Sequence, residues 1–460
     1  MKAKRTLAVM ALFALGTAGL VACGNDSAGT DGDATATGTT QPDTGDTSDD
    51  TSGDTSGSDV SSDEQVTLTI WHVQTSEAGV AFFEETAALY TAEHPNVTFN
   101  IQPIQNEDLD GKLQTALNSG DAPDVFSQRG GGKMRDMVDA GQLLDLTDLI
   151  TDTTKEQLGE GIFEAIAYQG KVWNMPESIQ PGGIWYSKDL FEQAGITETP
   201  TTLEELNAVI EKLKAAGITP IALGGMDAWP AAHWFYFFAL RECPGGVIDA
   251  VADNPTLEDA CWLKAAEDLE TFAAQDPFNE GFLTTPAQQG AGSSAGQIAN
   301  HMAAMELMGS WNAGTIASLT PDGQPLADLG WFPFPQIPGG QGDPTAVMGG
   351  SGGMSCSAQA PAEICADFLN FYVSPERQIA YYEAIGNPPL NQEAASAVTE
   401  PYVLQIMDAI GAATYSTDWL DTTLGQNIGN ALNTAVTEML AGQIDAAGMI
   451  EEANMAAAKG

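Results

Sequence analysis

Apolar and polar positions alternate with period two from Val66 to Val73, "VTLTIWHV", which predicts a strand. From Glu77 the period lengthens to that of an amphipathic helix, which runs to His94 and is closed by Pro95. Alternation returns at Val97, Phe99 and Ile101, a helical stretch follows from Glu107 to Asn118, and "APDVFSQ" reads as a short strand ending at Gln128. Strand, helix, strand, helix, strand is the order of a parallel sheet with crossover helices. Gly130 to Gly132 then break the chain before a helix near Lys133 to Ala140.

The pattern restarts after Trp173. "GGIWYS" reads as a strand, Thr202 with Glu205 forms a capping box, and a helix runs to Ala216, where Gly217 stops it. "TPIALGG" is the next strand, and helices follow near Ala231 to Glu242 and Leu257 to Gln275. "AAMELMGSW" and "LGWFPFPQ" read as strands, and "AVMGGSGGMSCS" as a Gly-rich strand pair; the last hundred residues are mostly helical. Two α/β lobes with several chain crossings account for this order. No internal repeat with a period of 20 to 50 residues is present.

The N-terminus has a different character. Lys2, Lys4 and Arg5 precede an apolar run from Leu7 to Leu20, too short to span a bilayer and of the length of an export signal. The run ends in "AGLVACG", which resembles a bacterial lipobox, and that resemblance implies lipid on Cys23. From Gly24 to Gln65 the chain is Asp, Thr, Ser and Gly, with eleven carboxylates and no Lys or Arg. It cannot bury enough apolar surface to offset its ordering entropy, so it reads as an extended tether. The expected organisation is a signal over residues 1–22, a lipidated cysteine and tether over 23–65, and a folded domain over 66–460.

Of the formal charge of −47, the basic head contributes +3 and the tether −11, which leaves −39 on the rest. Such a surface argues against nucleic acid or anionic lipid as a partner and favours neutral or cationic ligands, although a salty medium would select the same surface. Four cysteines follow Cys23. In an exported chain they point to disulfides. Four cysteines allow three pairings; the sequence-local one, Cys243 with Cys261 and Cys356 with Cys365, is expected. Their spacings are not those of a metal site, and the four histidines lie far apart, so neither a metal nor a cofactor is expected.

Five stretches in order carry a family resemblance: "DAPDVFSQRGGGKMRDMVDAGQLLDLTD", "GKVWNMPESIQPGGIWYSKDLFEQAGI", "TPTTLEELNAVIEKLKAAGITPIALGG", "AAMELMGSWNAG" and "GGSGGMSCSA". Together they resemble the extracellular solute-binding proteins of ABC transporters, the sugar-binding group with a maltose-binding-protein-like fold. The resemblance implies an α/β, two-lobed periplasmic-binding-protein-like fold of type II, with a carbohydrate ligand in the interlobe cleft. It further implies delivery to permease subunits at the outer face of the cell membrane and no catalysis; the protein is expected to act as a monomer. Lobe 1 is expected over about 66–178 and 302–347, and lobe 2 over about 179–301 and 348–460.

Ligands of open parallel sheets bind outside the carboxyl ends of the strands. Candidates there are His72, Arg129, Trp229 and Trp311, joined by Glu177 at a crossing between lobes, Glu306 within a strand, and Gly350 and Ser351 in the Gly-rich segment. An indole covers the C–H face of a sugar, and amide, carboxylate or guanidinium groups satisfy its hydroxyls. Each has an alternative: Trp311 as core, His72 or Trp71 facing inward, Arg129 paired to an acid, Glu306 on a buried partner, the glycines as a hinge. Trp234, inside "HWFYFFAL", reads as core.

Other functions read less well. Gly349 to Gly353 fit the G-x-S-x-G pattern of a serine hydrolase, but that motif needs a helix after the turn and a later histidine, and none follows His301. A glycosidase would need two placed carboxylates, and nothing singles out a pair. A glycan-binding adhesin would use the same aromatics on an open face, and a binder of another solute, such as glycerol phosphate, would share the fold.

Overall fold

The computed structural model describes residues 64–459, so the expected signal, Cys23 and almost all of the tether lie outside the described residues. Among the described residues, eleven strands form two sheets: β1 (Val66–His72), β2 (Val97–Pro103), β3 (Val125–Gln128), β4 (Met175–Pro176), β5 (Gln180–Ser187), β6 (Thr219–Ile221), β7 (Ala303–Gly309), β8 (Leu329–Phe332), β9 (Val347–Gly350), β10 (Gly353–Cys356) and β11 (Ser416–Thr417). The first sheet has the order β2-β1-β3-β10-β4, and the second β11-β9-β5-β7-β6 with β8 also on β5. Each sheet has its own hydrophobic core. The protein is therefore a two-lobed α/β molecule.

The sequence pattern and the structure agree closely in the local elements of both lobes. β1 pairs in parallel with β2 and β3, and helices Glu77–Glu93 and Asn106–Ser119 make the crossovers. The capping box at Thr202 and Glu205 is formed, and Gly217 follows the helix at φ +75°. Helix Trp229–Glu242 is buried on all sides, as its unbroken apolar run requires, and Trp234 stacks on Phe272 at 5.1 Å in the core. Both expected disulfides, Cys243–Cys261 and Cys356–Cys365, are present.

The lobe boundaries need correction. Residues 302–347, expected in lobe 1, belong to lobe 2, because β7 and β8 pair with β5 in the second sheet, from Gly182↔Gly309 to Ser187↔Leu329. β5 is buried along nearly its whole length and needs a neighbour on each side. Conversely, the start of the expected second segment of lobe 2, β10 with helices Ala362–Tyr372 and Pro375–Ile385, packs in the first lobe. The Gly-rich segment is thus not a hairpin: β9 ends in one sheet and β10 begins in the other.

Ser351 and Gly352 cross between the lobes beside the crossing at 177–179, and the two chains run antiparallel there, Gln180 opposite Gly350 and Gly353 opposite Pro176. Glycine is required by close approach. A Cβ on Gly353 would lie 1.9 Å from the Met175 carbonyl oxygen, and one on Gly352 2.4 Å from that of Gln128. A third crossing near 386–391 is tied to the first by the bridge Ser178↔Pro389.

Candidate binding cleft

Between the lobes lies a cleft of about 760 Å³. Strand ends and helix starts of both lobes line it. Trp311 follows β7 and opens helix Asn312–Leu319, and Gly309 gives its ring room, since a Cβ there would sit 2.1 Å from the indole. Trp229 opens helix Trp229–Glu242 directly after Ala228, which holds φ +60°, a strained value for a residue with a Cβ. One turn along, His233 lies 5.1 Å from Trp229 and stacks on Trp419 at 4.1 Å. Trp311 stands between the other two indoles, 6.3 Å from Trp229 and 5.9 Å from Trp419. Burial lowers the His233 pKa to about 4, so this ring is neutral and the cluster is uncharged at neutral pH.

The polar wall is built differently. Arg129, at the end of β3, donates from Nε to Asp110 at 3.1 Å and from its two terminal nitrogens to the Asn106 side chain and carbonyl at 2.8 and 3.0 Å. Glu177 lines the cleft at the first crossing. Burial raises its pKa, while the hydroxyls of Tyr372 and Tyr381, donating at 2.6 and 3.0 Å, act the other way. Gln128, Gln180 and Asn433 add amides, and Gly350 brings backbone to the wall. The indole N–H of Trp229 is buried beside the Glu107 carboxyl, short of a well-formed hydrogen bond.

A match to the family described as bacterial extracellular solute-binding protein spans residues 74–379. The chain belongs to that family. Among curated relatives of this solute-binding protein, an uncharacterised ABC transporter extracellular-binding protein of Pyrococcus horikoshii is 26% identical over 58% of the chain, and the match spans 60% of that relative's length. The diacetylchitobiose binding protein DasA of Streptomyces coelicolor is 27% identical over 84% of the chain and 88% of its own. A solved chitin oligosaccharide binding protein superposes with a TM-score of 0.76 at 25% identity, covering 86% of this chain and 98% of that one. The family is one of binding proteins rather than enzymes, and its location is extracytoplasmic. The hydrolase-like motif at Gly349 to Gly353 is accounted for accordingly: strand, crossing, strand, with no helix after the serine.

The structure brings together five of the eight candidate residues, Trp229, Trp311, Arg129, Glu177 and Gly350, in one cleft. Three lie elsewhere. His72 is 0% exposed and stacks on Phe83 at 3.8 Å; it is core, because β1 turns this side toward helix Glu77–Glu93. Glu306 is 1% exposed and accepts from Asn312 Nδ2 at 2.7 Å, a buried partner in place of a ligand. Ser351 does not line the cleft; its backbone N–H donates to Asp418 at 3.0 Å at the second crossing. Sequence reading missed Trp419, His233, Asp110, Lys133 and Asp421. Only the lone tryptophan of "STDWLDTT", in an otherwise polar stretch, carried a signal.

Proposed function

We propose that this protein is the lipid-anchored binding component of an ABC importer, capturing a di- or oligosaccharide in the interlobe cleft and handing it to the permease. The aromatic trio Trp229, Trp311 and Trp419 inside a cleft of about 760 Å³ carries this reading. That volume lies within the usual range of small-molecule sites. Indoles offer flat apolar faces, and the surrounding amides and carboxylates offer hydroxyl partners. The names of DasA and of the solved chitin oligosaccharide binding protein support the same ligand class. An adhesin would present such rings on an open face, whereas these sit between lobes. The basic head, the apolar run and Cys23 support the anchor.

Thermal unfolding of the full chain against xylo-, manno- and chito-oligosaccharides tests this. A ligand at a hundred times its dissociation constant adds about 2.7 kcal/mol of stability. A saturable rise in Tm with at least one oligosaccharide is expected. No rise with any of them, alongside a rise with glycerol phosphate, contradicts the reading.

A further inference from the structure

Two cations stand in the cleft wall, Arg129 and Lys133, and each is already engaged. Asp110 touches both, with Oδ1 3.1 Å from Arg129 Nε and Oδ2 3.1 Å from Lys133 Nζ. Asn106 occupies the rest of the guanidinium fork. Lys133, only 7% exposed, also reaches Asp421 of the other lobe at 3.2 Å. Burial alone would raise the Asp110 carboxyl, but Arg129 and Lys133 hold it down to about 2, so it is ionised at any physiological pH. Four further carboxylates in the wall, Glu77, Glu107, Glu177 and Asp227, have no cation within ion-pair distance among the described residues.

We propose that Asp110, seconded by Asp421, sets the charge specificity of the cleft: by saturating Arg129 and Lys133 it withholds a counter-charge from anionic saccharides and reserves the site for uncharged ones. This rests on the carbohydrate reading above. Arginine at a strand end is a ready partner for a carboxylate or phosphate, and its fork is available only while nothing else fills it. Here an internal carboxylate fills it. An anionic ligand entering the cleft would be desolvated beside unpaired carboxylates, with no cation free to compensate. A neutral ligand meets no such cost. Discrimination thus comes from a repulsive element built against the wrong ligand rather than from an added contact to the right one.

The test is calorimetric titration of the full chain with four probes: xylotriose, mannobiose, N,N′-diacetylchitobiose and digalacturonate. The wild type is expected to bind at least one neutral probe, and digalacturonate at least a hundredfold more weakly. Asp110→Asn removes the negative charge that Arg129 and Lys133 share and leaves at most one acceptor for the two of them. It should narrow that gap to tenfold or less, through gained affinity for digalacturonate that fades as salt is added. Asp421→Asn leaves the Arg129–Asp110 pair intact, should narrow the gap less, and serves if Asp110→Asn does not fold. Wild type that binds digalacturonate as tightly as the neutral probes overturns the inference. So do folded variants that keep the wild-type preference while losing only stability, which would make the network purely structural. Wild type that binds none of the four overturns the carbohydrate reading, and this inference with it.

Discussion

Removing the Trp311 ring separates what the cleft does for binding from what it does for the fold. The indole is half-buried and packs against all three large hydrophobic clusters, including the cores of both lobes, with Trp229 and Trp419 at its edges. A fully buried tryptophan costs about 3–5 kcal/mol when cut to alanine. Half-burial and two aromatic neighbours, at about 0.5–1.5 kcal/mol each, place Trp311→Ala at about 2–3 kcal/mol of stability. If the exposed face lies against a sugar, binding weakens by a further 2–3 kcal/mol, roughly thirty- to two-hundredfold. Trp234→Ala is the control. Its ring is 1% exposed, stacked on Phe272 and away from the cleft, so it should lose about 3–5 kcal/mol of stability with ligand affinity unchanged. Urea denaturation and calorimetric titration on both variants give the two quantities. Trp311→Ala that loses stability but keeps full affinity refutes the assignment of this ring to the site.

Gly353→Ala forces a methyl to 1.9 Å from the Met175 carbonyl at the crossing and should cost about 1–3 kcal/mol or more in denaturant melts, while Gly141→Ala, with open space around it, costs only its backbone strain. The buried Glu306 carboxyl, raised by burial from 4.5 to about 7, makes the wild type lose stability as pH rises between those values, because the folded state there holds the extra proton. Glu306→Gln should therefore be more stable than wild type at pH 8, on the order of 2–3 kcal/mol by denaturant titration, with the gap closing toward pH 5. Reduction of Cys243–Cys261 and Cys356–Cys365, which close loops with separations of 18 and 9, should lower stability by about 3 kcal/mol each in the chain-entropy model, read as a fall in Tm on adding reductant. Cys23→Ser should release the protein from membranes with ligand binding unchanged; retention after signal processing contradicts the anchor.

The local elements were legible because period, caps and breakers act over a few residues: Val66 to Val73, the capping box at Thr202 and the stop at Gly217 all appear where the pattern puts them. Pairing acts over longer range and was not legible. Nothing in "AAMELMG" says that it lies beside Gly182–Tyr186 more than a hundred residues earlier, so the lobe boundaries were misdrawn. The site divides the same way. Alternation shows that Trp71 and His72 face opposite sides but not which side holds Phe83. Trp419 and Asp421 belong to the N-cap and the single turn of helix Leu420–Thr423, too short for a period to mark a face. Asp110 and Lys133 sit on helices as ordinary solvent-style charges, and only the approach of the lobes turns them into cleft wall.

The most direct measurement of the central claim is tryptophan fluorescence of the full chain titrated with chito- and xylo-oligosaccharides, for wild type and for Trp229→Phe, Trp311→Phe and Trp419→Phe. These three indoles line the cleft, Trp419 from the edge of the second lobe's core, whereas Trp185, Trp234 and Trp262 are buried away from it. A saturable one-to-one change with an oligosaccharide, reduced in amplitude by each of the three cleft substitutions and preserved in Trp262→Phe, is the predicted result. A saccharide response unaffected by all three, or carried by Trp262, would contradict an oligosaccharide bound between the lobes.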